Sequence, residues 1–171
     1  MRVVRGLVFL AVILLAVVLQ VSFFAAFSLD GVVPNLALLV VVAAALTRGP
    51  EFAALLGFVG GLAVDLVPPA DHLAGRWALA LVVVGYLAGR VRADAERSTV
   101  GALVTVAACS FVGASVFALS GFVLEDSGVP VTEALRVIPE AVLYDLLLAP
   151  FVLPLAMRLF RRLRPEPAMA V

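Results

Sequence analysis

The sequence predicts an all-α bundle that spans a membrane, and three observations carry that expectation. Hydrophobic residues make up 64% of the 171-residue chain and charged residues 14%, against roughly 45–50% and 25% in soluble domains. Mean hydropathy is +1.20. Apolar runs of roughly 20 residues recur, each able to cross a hydrocarbon core of about 30 Å. The gaps between them are too short for a separate soluble domain. One domain over residues 1–164 is therefore expected, with 165–171 as a disordered cytoplasmic tail.

The first span is expected at 6–27, behind Arg2 and Arg5. A secretory signal has an apolar stretch of only about 7–15 residues, and this run has 22, so it reads as a retained span. Gln20 is its one strongly polar group and is expected to bond a neighbouring helix. The second run, 33–47, opens on Pro34, which suits a first helical turn. Asn35 beside it can bond the exposed amides there. This run is short enough to be a thin span or a re-entrant piece.

Arg48 and the turn Gly49-Pro50 lead into the third run, 51–67. Ala53, Gly57 and Gly61 fall four apart, and Asp65 continues the same ridge. Gly57 and Gly61 form a GxxxG pair that lets another helix backbone come close. This helix is the one the rest are expected to be organised around. Asp65 lies at its end, where it is solvated, bonds loop amides after Pro68, or links two helices.

The fourth run, 73–91, carries Trp77, Tyr86 and a second pair, Gly85 and Gly89. A charged loop, Arg90 to Arg97, follows. The fifth, 99–124, repeats the small-residue ridge with Gly101, Thr105, Cys109 and Gly113. The three ridges are expected to pack inside the bundle, with a partner interface as the alternative. The sixth run, 133–160, holds Arg136, Glu140 and Asp145 among Pro139, Pro150 and Pro154. Each internal proline removes a helical hydrogen bond and favours a kink. Arg136 and Glu140, four apart, are expected to pair on one face.

Six spans with the N-terminus inside place ten arginines on the inner segments: Arg2, Arg5, Arg48, Arg90, Arg92, Arg97, Arg158, Arg161, Arg162 and Arg164. Only Arg76 and Arg136 remain on the outer side, where Asp30, Asp71, Glu125, Asp126 and Glu133 also fall. That distribution obeys the positive-inside rule and predicts cytoplasmic termini. The closing arginines set topology or contact anionic lipid or a cytoplasmic protein.

Catalytic chemistry has no visible basis in the sequence. There is no Gly-rich phosphate loop, no zinc spacing and no nucleophile–base pair. One histidine and one cysteine, His72 and Cys109, cannot make a zinc site. Ser110 and Ser115 lie in an apolar run without a histidine to activate them. No cofactor, metal or nucleic-acid partner is expected. Asp145 is the exception that invites a role, because acids near mid-membrane cost roughly 2.5–3.5 kcal/mol and usually face the protein interior. Its structural partners are expected to be Gln20, Thr105 or a freed carbonyl.

Taken together, Gln20, Pro34-Asn35-Leu36, Gly49, Leu56-Gly57-Phe58, Gly61-Leu62, Asp65-Leu66 and Tyr144-Asp145 before Pro150 resemble the rod shape-determining protein MreD family. The match is strongest from Pro34 to Leu66; at Asp145 the family pattern leads one to expect asparagine. The resemblance implies a non-enzymatic protein of the bacterial inner membrane that binds the bitopic protein MreC. It further implies work beside MreB filaments and peptidoglycan synthases in side-wall growth. The implied fold is similar to substrate-binding subunits of energy-coupling-factor vitamin transporters. A transporter subunit is thus the second hypothesis, but such subunits usually present alanines four apart on the first helix. Here Ala11 is followed by Leu15, and Ala16 by Gln20.

Overall fold

The structure, a computed structural model, describes residues 2–27, 32–68, 72–95, 98–125 and 131–163. Asp30, Asp71, Arg97, Asp126, Arg164 and the tail 165–171 lie outside the described residues, as does the side chain of Glu133. The described chain is helical: α1 Arg2–Ser22, α2 Leu36–Arg48, α3 Pro50–Leu66, α4 Arg76–Arg90, α5 Arg92–Ala95, α6 Thr99–Val123 and α7 Val131–Arg162. A 3-10 turn, Phe24–Phe27, follows α1. Val4–Ser22, Thr99–Val123 and Leu135–Arg162 are each long and apolar enough to cross a membrane. The family matched below, together with these helices, makes this a membrane protein.

Helix α2 is the centre. Every residue from Leu36 to Thr47 is buried, which suits a helix that is apolar all round. Helices α1, α3, α4, α6 and α7 pack on it. Around it α1 lies against α3, α3 against α4, α4 against α6 and α6 against α7. Phe9 and Phe160 close the ring between α1 and α7, with centroids 4.9 Å apart. The expectation that α3 organises the bundle is therefore corrected. The shortest long helix is the hub, its all-round apolar surface covered by neighbours on every side.

A single glycine joins hub and ring. Gly49 has φ +98°, where side chains are strained. It is the last cap of α2 and the first of α3, with Pro50 opening the new helix.

The tightest seam is α3 against α4, antiparallel, with the glycines shared between the two. In one half α4 supplies them. A Cβ on Gly85 would lie 2.5 Å from the Ala53 carbonyl oxygen, and one on Gly89 2.7 Å from the Pro50 Cβ. In the other half α3 does. A Cβ on Gly57 would lie 2.7 Å from the Leu81 carbonyl carbon, and one on Gly61 2.5 Å from the Trp77 carbonyl oxygen. Backbone meets backbone at each point, so these faces are filled by each other. Gly113 of α6 faces Leu38 and Val84 side chains at 3.1 and 3.2 Å.

Helix α7 is continuous and contains Pro139, Pro150 and Pro154. One further expectation is revised. The loop after α4 contains the short helix α5. The C-terminal end of α2 meets the last described turn of α7. There Arg48 donates to the Leu163 carbonyl at 3.2 Å and lies over the Phe9 and Phe52 rings at 5.0 and 5.2 Å.

Candidate functional site

Burying α2 creates a problem at its first turn, because the leading amides of a helix have no partners within it. Three side chains answer it, the helix's own cap and one from each of two other helices, with a fourth supporting them. Asn35 caps its own helix, its Oδ1 accepting from the Leu38 amide at 2.8 Å. Gln20 of α1 accepts the Ala37 amide through Oε1 at 3.2 Å. Asp145 of α7 accepts the Asn35 amide through Oδ1 at 2.7 Å. Its Oδ2 accepts the Ser110 hydroxyl of α6 at 2.6 Å. Pro34, buried like its neighbours, has no N–H and adds no further donor.

Asp145 is 1% exposed, and its carboxyl faces the positive end of the α2 dipole. Arg48 stands at the opposite, negative end. The structure thus joins Gln20, Asn35 and Asp145, which are scattered over 125 positions of sequence. It also corrects the partners expected for the acid. Thr105 instead donates to the Gly101 carbonyl of its own helix at 2.8 Å, and Gln20 bonds α2. Ser110 was missed because one hydroxyl in an apolar helix carries no mark of what it faces.

Asp65 forms a second polar node. It is 3% exposed, so it is not simply solvated; it bonds a loop amide after Pro68 and links α3 to α4, two of the expected alternatives together. Its carboxylate accepts the amides of Gly75 (2.8 Å), Trp77 (3.1 Å) and Ala78 (3.1 Å) at the start of α4. Gly75, in the left-handed region at φ +104°, has no side chain to cap the helix. Asp65 supplies the missing cap from α3. His72 lies beside it, Nδ1 3.7 Å from Oδ1.

Arg76, expected at the rim, is buried. Its Nη2 donates to the Phe117 carbonyl at 2.8 Å and its guanidinium stacks 3.9 Å over the Phe117 ring. Trp77 stacks on the same ring at 4.5 Å. A Cβ on Gly121 would collide with that guanidinium. Arg136 and Glu140 form a separate pair at 3.3 Å on α7, away from both nodes.

Every oxygen at the α2 node is turned to a protein donor, so the arrangement is a clamp on backbone amides. Among the described residues no three His, Cys, Asp or Glu side chains converge as a metal site. No curated protein and no solved structure matches the chain. A family model does, and it extends over α1 through α7. Residues 1–163 match the model of rod shape-determining protein MreD, and the chain belongs to that family.

Proposed function

We propose that this chain is a non-enzymatic scaffold of the cell-elongation machinery in the bacterial inner membrane. It crosses the membrane six times with both termini in the cytoplasm and binds an MreC-type bitopic partner. Through that partner it serves MreB filaments and side-wall peptidoglycan synthases. Membership of the family gives the role in rod shape determination; the partner and topology are our reading of it.

The observation that supports a scaffold best is what the intramembrane polar groups do. Gln20, Asn35, Asp145 and Asp65 are spent on fixing backbone amides and Ser110 on holding Asp145, which supports a rigid platform. The glycines of α3 and α4 are spent on each other. A partner helix therefore meets the outer faces of the ring. The distribution of arginines along the sequence supports the cytoplasmic assignment of both termini through the positive-inside rule.

The test is depletion in the native host with cell shape and small-nutrient uptake both recorded. Rounding or bulging, rescued by the wild-type chain and not by Asp145→Ala, is the expected result. Normal shape with lost uptake of one nutrient would remove the scaffold reading and favour a transporter subunit. Periplasmic accessibility of a tag on either terminus would remove the topology.

A further inference from the structure

A groove of about 350 Å³ runs between α4 and α6. Leu87 and Val91 form one wall, and Val104, Ala108 and Val112 the other. Leu87, Val91 and Val104 are exposed, so the groove opens sideways from the bundle. Its lining includes the small residues Ala88, Gly101 and Cys109, which let a neighbouring backbone come near. The wall's hydroxyl, Thr105, is turned to its own backbone, so a polar occupant would leave its hydrogen-bonding groups unsatisfied there. Beyond Val112 the seam is shut, because Arg76 of α4 lies over the Phe117 ring of α6.

From Gly101 to Val112 the groove follows α6 for about 16 Å at 1.5 Å per residue, or about three helical turns. A helix laid in a groove presents one anchoring side chain per turn, so about three anchors fit. The one charge in the lining, Asp94, is exposed and stands on α5, where α4 has ended and α6 is about to begin. In the proposed topology that end faces the cytoplasm, the side on which single spans carry their basic flanks. An acid at the inner mouth of an apolar groove complements such a flank, whereas it repels a phosphate headgroup.

We propose that the α4–α6 groove seats the membrane span of the bitopic partner, with apolar anchors one turn apart in the groove and a basic residue of its cytoplasmic flank beside Asp94. The proposal rests on the scaffold reading and names the face through which the scaffold works.

The full chain is co-expressed with the host's own MreC-type protein, carrying benzoylphenylalanine in place of Val104 or Ala108 in the groove. Control chains carry it in place of Leu14 on α1 or Leu147 on α7, both exposed on other faces. After irradiation in membranes, adducts are identified by mass spectrometry. The groove positions should give the partner adduct, and the α1 and α7 positions should lose it. Asp94→Lys should lower the co-purified partner by about threefold, the scale of an exposed ion pair turned into a repulsion. Changing the partner's flanking basic residue to glutamate should restore it. Partner adducts from α1 or α7 but not from the groove overturn the proposal and leave the scaffold reading standing. Adducts from the groove to lipid alone do the same, as does co-purification untouched by Asp94→Lys. No partner adduct from any position, with no partner co-purifying with the wild-type chain, removes the scaffold reading itself.

Discussion

Replacing Asp145 by alanine removes the acceptor of two short hydrogen bonds, from the Asn35 amide at 2.7 Å and the Ser110 hydroxyl at 2.6 Å. The hydroxyl recovers by turning to the carbonyl four residues back on its own helix. The amide has no such recourse, since Asn35 precedes the first turn of α2 and is buried. An orphaned buried donor costs about 1–3 kcal/mol, which lowers the melting temperature of a chain this size by about 2–12 °C.

Asp145→Asn keeps one oxygen for the Asn35 amide and offers its nitrogen to Ser110 Oγ. Its cost should stay near 1 kcal/mol, the usual worth of one neutral hydrogen bond. Trp77, the sole tryptophan, reports unfolding in detergent by its fluorescence. An alanine variant melting within about 2 °C of wild type refutes the clamp, as does an asparagine variant that is no milder than alanine.

Four other outcomes follow from the same geometry. Gln20→Leu strands the Ala37 amide and should cost about 1–2 kcal/mol by the same thermal assay, less than Asp145→Ala because the lost bond is longer. Gly57→Ala or Gly61→Ala drives a methyl group into the α4 backbone and should cost about 1–3 kcal/mol. Gly6→Ala, with open space around its Cβ in α1, should be neutral or stabilise by up to about 1 kcal/mol. Asp65→Leu removes the cap shared by Gly75, Trp77 and Ala78; hydrogen exchange at those amides should speed by about tenfold or more, while the α2 amides stay protected.

The parts of the fold legible in the sequence are those whose signals are local. Gly49-Pro50 announces a break because its backbone demands a glycine and then a proline. The glycine pairs at 57/61 and 85/89 announce close helices because a missing Cβ has one common purpose in an apolar run. Asn35 acts on its own helix, three residues away. What stayed hidden is what depends on distance. Asp65 bonds amides after Pro68, one of the alternatives the sequence leaves open, but which amides is hidden because Gly75, the cap residue ten positions on, carries no signal. Ser110 meets Asp145 across 35 positions from within a run that reads as uniformly apolar. The rank of α2 was hidden too. Its all-round apolar surface suits a lipid-exposed span as well as a hub, and only the neighbours distinguish the two.

The ring is uneven in height, with a consequence for the bilayer itself. Helices α3 and α4 have 17 and 15 residues, or about 25 and 22 Å of rise. Helices α6 and α7 have 25 and 32 residues, about 37 and 48 Å. Helices this different in length cannot all match one hydrocarbon thickness, and a bilayer accommodates such mismatch at a fraction of a kcal/mol per Å.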